Sequence, residues 1–122
     1  MVNLRLIQPQ EVEVLYVLPA IRKELAIQMK LQGKDQKEIA KLLSVTEAAV
    51  SQYLKSKRAS KIEFKNDILK EISLSAKKIT DISTMLIETQ RILSIVKKTG
   101  FLCKVHRKLV DLPTKCCECF NS

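Results

Sequence analysis

The chain has few of the residues on which turn-rich folds and aromatic cores depend. Among its 122 residues, 2 are glycine and 3 are proline, tryptophan is absent, and aromatic residues make up 4%. Scarce glycine and proline argue against a fold of many short strands joined by tight turns, and they favour long helices. Any core must consist mainly of leucine, isoleucine, valine and alanine. We therefore predict an all-α fold.

A long apolar run is also missing. No stretch approaches the roughly 18 uninterrupted apolar residues of a membrane-spanning helix, so we expect no membrane partner. The first residues, MVNLRLIQPQEVEVL, place acids where a signal peptide has its apolar core. These absences predict a cytoplasmic protein.

The features of an enzyme active site are absent as well. The sequence has no glycine-rich phosphate loop and no nucleophile with a recognisable base. A thiol redox enzyme built on Cys116 and Cys119 would need a surrounding strand–helix pattern that the sequence lacks. We therefore expect a protein without catalytic residues.

What the chain has in excess is positive charge. It contains 22 Lys and Arg against 13 Asp and Glu, which gives a formal net charge of +9. Such an excess favours a polyanionic partner. Because many ordinary proteins are basic, the charge becomes informative only beside a binding motif.

Residues 36–55, QKEIAKLLSVTEAAVSQYLK, have the pattern of a DNA-binding helix-turn-helix. In the first helix, Ile39, Ala40 and Leu43 share one face, and the small Ala40 allows the second helix to cross closely. After a connection at about 43–46, the second helix turns Val50 and Tyr53 inward. The simpler alternative is a generic helical hairpin whose outer face is only solvated.

Short-range features signal the ends of these helices. Asp35 is a favourable N-cap for the first helix, with Glu38 three residues later, and Thr46 is a favourable N-cap for the second. Gly33 is placed to end the preceding helix. Ser44 stands where helix-turn-helix segments often have glycine, and serine occupies such a turn position at a modest cost.

A further helix precedes this segment. Pro19 suits its first turn, and the helix is expected to run to about Leu31. Residues 9–17 fit either a short helix or an extended arm.

The outward side chains of the second helix are small, polar or hydrogen-bonding, which suits a helix in the major groove of DNA. The predicted base-reading residues are Thr46, Glu47, Ala48, Ser51 and Gln52. The predicted phosphate contacts are Gln36, Lys55, Lys57, Arg58 and Lys61.

From about 65 to 98 the chain has neither proline nor glycine, and its apolar residues recur in a heptad-like pattern. The clearest row, in which residues recur every seventh position, consists of Ile72, Ile79, Leu86 and Leu93. A second, partial row of Ile68, Ile82 and Val96 is interrupted at Ser75 and Thr89, and Leu69 and Ala76 form a shorter third row.

Two arrangements of this region follow. A single helix over 65–98 would be about 50 Å long, too long to bury its apolar row on a small domain, so it would pair with a second chain. Alternatively, the region breaks near Thr80, with Asp81 as the N-cap of a second helix, and folds back onto the N-terminal helices. We favour dimerisation through this region, and Gly100 is expected to end it.

The C-terminal residues, FLCKVHRKLVDLPTKCCECF, contain all 4 cysteines and the single histidine of the chain. Cys103 and His106 form one short-spaced pair, and Cys116 and Cys119 form another. Two such pairs joined by a loop are typical of a small tetrahedral zinc site. Cys117 is either a spare thiol or a replacement for His106 in an all-cysteine site. An iron–sulfur cluster, which three or four clustered thiolates also suit, and free thiols or a regulatory disulfide are the alternatives. A metal would stabilise a segment too short to build its own core.

The stretches VLPAIRKELAIQMK and KEIAKLLSVTEAAVSQYLKSKR, followed by a cysteine-rich end, resemble a family of small archaeal predicted transcriptional regulators. Members of this family have a helix-turn-helix of the phage-repressor-like kind. The resemblance is strong over the first half of the chain and looser at the C-terminal Cys and His pairs. It implies transcription regulation in the cytoplasm.

Three regions are therefore predicted: a DNA-binding domain at 1–62, a helical dimerisation region at 63–99 and a Cys/His metal-binding or redox segment at 100–122. The leading hypothesis is a dimeric, sequence-specific regulator that binds double-stranded DNA. The alternative is a protein-interaction or antitoxin-like module that uses the same fold mainly to bind a partner protein.

Overall fold

The computed structural model describes residues 8–55 and 63–100, and all regular structure in these ranges is helical. The elements are α1 (Pro9–Val12), a π-helical turn (Glu13–Val17), α2 (Leu18–Leu31), α3 (Gln36–Leu43), α4 (Glu47–Lys55), α5 (Asn66–Lys78) and α6 (Ile82–Lys98). The expected all-α class is therefore confirmed for the described part of the chain.

The central helix is α2, which packs against α3, α4, α5 and α6. Its buried residues are Ala20, Ile21, Leu25, Ala26 and Met29. They occupy several sides of the helix, as expected for an element surrounded by others. Together with buried residues of the other helices they form one continuous aliphatic core.

The N-terminal part of the described chain is helical rather than an extended arm. The backbone at Val12, Val17 and Leu18 keeps right-handed helical angles, so α1, the π-helical turn and α2 follow one another without a break. The carboxylate of Glu13 in the π-helical turn lies 3.0 Å from the ammonium group of Lys97 near the end of α6. This ion pair connects the π-helical turn to α6.

The region 65–98 is broken into two helices, so a single helix of about 50 Å is not the structure adopted. The side chain of Asp81 accepts a hydrogen bond from the Thr84 N–H at 2.8 Å, and the Thr84 hydroxyl accepts one from the Asp81 N–H at 3.0 Å. This reciprocal capping box starts α6 where the sequence indicated a break. The bond from the Thr84 N–H lowers the pKa of Asp81, and so does a second bond, which the Thr84 hydroxyl donates to the same carboxylate at 2.9 Å.

The heptad-like row is mostly buried within the chain. Ile72 and Ile79 have no exposed surface and Leu93 is 6% exposed, whereas Leu86 is 56% exposed. Helices α5 and α6 thus fold back onto α2 and share its core. The predicted seam of four residues between two copies is wrong, because three of those residues already have partners in their own chain.

A polar network joins α5 to α6, with Ser75 and Glu88 buried and Arg91 and Glu71 partly exposed. The hydroxyl of Ser75, which is fully buried, donates to Glu88 Oε1 at 2.8 Å. Arg91 donates through Nε to Glu88 at 3.0 Å, and through its terminal nitrogens to Glu71 and Ser75 at 2.6 Å. Buried polar groups paired in this way fix how the two helices sit against each other, because a slip would leave them without partners.

Burial and pairing act in opposite directions on the carboxylate of this network. Burial alone would raise the pKa of Glu88. Hydrogen bonds from Ser75 and Arg91, together with the positive charges of Arg91 and Lys78, outweigh burial, and the net effect is a lowered pKa. Glu88 is therefore held in its ionised form.

Within 8–55 and 63–100, none of the helices combines the length and the apolar character that crossing a membrane requires.

Candidate nucleic-acid interface

The connection between α3 and α4 is built around Ser44, which adopts a left-handed backbone conformation with φ 58° and ψ 44°. The Ser44 N–H donates to the Lys41 carbonyl at 3.3 Å and the Val45 N–H donates to the Ala40 carbonyl at 3.0 Å. This pair of bonds is a Schellman motif, in which a left-handed residue reverses the chain after a helix. Val45 is half-buried and packs against the core, so the turn is closed by an apolar contact as well.

Glycine ends the preceding helix in the same way. Gly33 has φ 96°, its N–H donates to Lys30, and the Lys34 N–H donates to Met29, both at 3.1 Å. The chain therefore uses the same turn before α3 and after it, once with glycine and once with serine.

Side-chain caps set the starting points of α3 and α4. A carboxylate oxygen of Asp35 accepts from the Glu38 N–H at 2.8 Å, and the Thr46 hydroxyl accepts from the Ala49 N–H at 3.0 Å. Both predicted N-caps are thus confirmed. Because the cap uses one lone pair of the Thr46 hydroxyl, its proton and its second lone pair are left for a ligand.

A hydrogen bond absent from the sequence predictions links the first turns of the two helices. The side-chain amide of Gln36 donates to the backbone carbonyl of Glu47 at 3.0 Å. This bond uses one of the two amide protons of Gln36 and leaves the other, together with its carbonyl oxygen, for a further partner. Gln36 therefore orients the start of α4 in addition to its predicted role as a phosphate contact.

Helix α4 has one face in the protein and one in solvent. Val50 is fully buried, and Tyr53 and Leu54 are half-buried against the core. The residues predicted to read bases or phosphates on the other side are Thr46, Glu47, Ala48, Gln52 and Lys55, which are exposed, and Ser51, which is half-buried. The structure thus brings all predicted base-reading residues to the outer side of one helix or its cap.

Among the described residues, the charge of the candidate interface is balanced rather than strongly positive. Helix α3 exposes Lys37 and Lys41, which the sequence predictions did not include, and Lys55 ends α4. Three carboxylates close to the first turns of α3 and α4 offset these lysines, namely Asp35, Glu38 and Glu47. A phosphate backbone would need further cations nearby, and the predicted ones, Lys57, Arg58 and Lys61, lie outside the described residues.

The predicted metal ligands also lie outside the described residues. They are Cys103, His106, Cys116 and Cys119, with Cys117 as a further candidate. Within 8–55 and 63–100, no group of three or more His, Cys, Asp and Glu side chains is arranged to hold a metal ion. The zinc or iron–sulfur assignment therefore stays a prediction from spacing.

The resemblance to archaeal regulators likewise stays a prediction from the quoted sequence stretches. Comparison of the chain with protein-family models, with curated proteins and with solved structures gives no match.

Proposed function

We propose that this protein is a DNA-binding transcription regulator in which α3 and α4 form a helix-turn-helix and α4 reads bases in the major groove. The observation that carries the proposal is the outer face of α4, where an exposed Gln52 and a half-buried Ser51 lie beside the small Ala48. A glutamine on such a helix can pair with the N6 and N7 atoms of adenine through two hydrogen bonds. Ala48 lets the helix approach closely and can contact a thymine methyl group.

The way α4 is held supports the proposal. Its inner face is anchored by Val50 in the core, its first turn is capped by Thr46 and bound by Gln36, and α3 packs along it. A recognition helix must be positioned rigidly, because base contacts require hydrogen-bond geometry within a few tenths of an ångström. The Thr46 cap and the Gln36 bond help to position α4, and neither involves the side chains of Gln52 or Ser51, which stay available for base contacts.

Gln52→Ala tests base reading. The exchange should weaken binding to a selected duplex by about 1–3 kcal/mol, or roughly 5- to 150-fold, while binding to random DNA changes little. Fluorescence anisotropy on both duplexes at one salt concentration measures the two effects. Gln90→Ala is the matched control, because Gln90 is an exposed glutamine on α6, away from the proposed interface.

Equal losses on selected and random DNA for Gln52→Ala would show that Gln52 does not read sequence. If the protein binds a partner protein and has no affinity for any duplex, the protein-interaction alternative is favoured instead.

We further propose that the protein acts as a homodimer and that its C-terminal Cys and His residues bind zinc, with an iron–sulfur cluster as the alternative. Thiolate and imidazole ligands at this spacing suit both. Anaerobic purification followed by metal analysis and absorption spectroscopy separates them, since a cluster is coloured and oxygen-sensitive and zinc is neither. Protein with all four thiols freely titratable and no bound metal would rule out both sites.

A further inference from the structure

A groove of about 560 Å³ lies between α3 and the turn that joins α5 to α6. Its walls are formed by Glu38, Lys41, Leu42, Thr80, Asp81, Ile82 and Ser83. None of these residues belongs to α4, the helix proposed to read bases.

Apolar side chains are exposed along one side of this groove. Ile82, in the groove wall, is 54% exposed, and Leu86, one helical turn later on the same side of α6, is 56% exposed. Leu42 in the opposite wall is half-buried. Isolated exposed leucines are common on monomers, but an apolar ridge beside a groove with an apolar wall is a shape that another protein surface can fill.

The charges around the groove favour a second copy of this chain over other partners. A two-fold contact brings the same surface of both copies together, so it must be self-complementary. The α3 wall of the groove carries the cation Lys41 and the anion Glu38, and the opposite wall carries the anion Asp81. Two copies related by a two-fold axis can therefore pair lysine with carboxylate twice.

A strongly acidic partner would be attracted more strongly to other, more positively charged surfaces of the protein. The outer side of α5 exposes Lys70, Lys77 and Lys78, and the whole chain carries a net charge of +9. Two such chains repel each other over most of their surface, and a mixed-charge apolar groove is a place where this repulsion is small.

We infer that this groove, with the Ile82–Leu86 ridge of α6, is the contact surface of the homodimer, the ridge of each copy lying in the groove of the other. The inference rests on the proposed function at one point: a dimer would present two α4 helices to a palindromic DNA site. It replaces the heptad-like seam, of which Leu86 alone remains exposed.

The test is the mass of the full chain in solution, without DNA. Sedimentation equilibrium in reducing buffer, where the cysteines cannot link two copies, should give twice the chain mass for the unaltered protein at micromolar concentration. Leu86→Asp and Ile82→Asp should each raise the dissociation constant about 100-fold or more, because a charge replaces a central apolar contact. Ile82 is the first residue of α6, where aspartate suits the helix, so that variant is expected to keep its fold.

Ile87→Asp is the matched control. Ile87 follows Leu86 directly, is 64% exposed and points about 100° away around the helix. It should leave the mass unchanged. A monomeric unaltered protein, a dimeric Leu86→Asp variant, or equal dissociation by Leu86→Asp and Ile87→Asp would each overturn the inference. None of these outcomes depends on DNA, so failure of the proposed DNA binding would be seen separately, in the anisotropy experiment.

Discussion

Replacing Ser44 by glycine should stabilise the protein, although it removes a side chain from a turn that holds α3 and α4 together. A residue with a Cβ in the left-handed conformation of Ser44 costs about 1–2 kcal/mol, which glycine avoids. Glycine in turn has more freedom to lose on folding, at a cost of about 0.5–1 kcal/mol. The difference leaves a gain of about 0–1.5 kcal/mol, centred near 0.75 kcal/mol.

Urea unfolding followed by circular dichroism measures this gain. With a slope of about 1–3 kcal/mol per molar urea, the midpoint of Ser44→Gly should rise by a few tenths of a molar. Ser44→Ala keeps the Cβ and removes the hydroxyl, so it should leave the midpoint nearly unchanged and separates the backbone effect from any bond made by the hydroxyl.

The same reasoning predicts that adding a Cβ at Gly33, in the turn that precedes α3, destabilises the protein. Gly33 has a similar left-handed conformation, and a Cβ added there meets no atom within 4 Å. Gly33→Ala should therefore lose about 0.5–1 kcal/mol through the backbone alone. Destabilisation by Ser44→Gly, or stabilisation by Gly33→Ala, would refute the assignment of these two residues to left-handed helix ends.

Three further results are expected. Because the native pKa of Glu88 is lowered, its carboxylate stabilises the fold above about pH 4.3 and loses that contribution as the pH falls through the native pKa. In urea titrations Glu88→Gln should therefore be less stable than the unaltered protein at pH 7, and the difference should shrink steadily as the pH is lowered below about 4.3. Asp81→Ala removes the carboxylate that accepts from the Thr84 N–H and keeps only the bond from the backbone N–H of residue 81 to the Thr84 hydroxyl, so it should lower the urea midpoint. Asp81→Asn can still accept from the Thr84 N–H and should retain most of the midpoint. Lys55→Ala should weaken binding to all duplexes alike and reduce the log–log salt slope of binding by about one, and an unchanged slope would place Lys55 away from the phosphates.

Helix ends were predictable from the sequence because their signals are local. The carboxylates of Asp35 and Asp81 and the hydroxyl of Thr46 bond to N–H groups three residues away, and Gly33 reverses the chain within one turn. Such bonds form regardless of what packs around them. The positions at which α3, α4 and α6 begin follow from these residues alone.

The partner of an apolar row was not predictable in the same way. The spacing of Ile72, Ile79 and Leu93 determines which face of the helices is buried but carries no information on what buries it. The apolar residues of α2 in the same chain can bury that face as well as a second copy of the chain could. The heptad-like pattern therefore indicated burial correctly and dimerisation through that row wrongly.

Contacts between distant polar residues also escape a reading of the sequence. Ser75 interrupts an apolar row, which was the one available sign of the hairpin network, but its partners Glu88 and Arg91 follow only after a turn and part of another helix. The bond from Gln36 to the Glu47 carbonyl depends likewise on how α3 and α4 cross. These contacts follow from tertiary packing, which local patterns do not encode.

The central claim is that α4 reads DNA sequence, and the ratio of two dissociation constants tests it most directly. Duplexes that the full chain enriches from a random pool are compared with a random duplex of equal length, at one physiological salt concentration. A sequence-specific regulator should bind the enriched duplex about 1,000-fold more tightly or better. A ratio near one, or no enrichment of any duplex, would contradict the account.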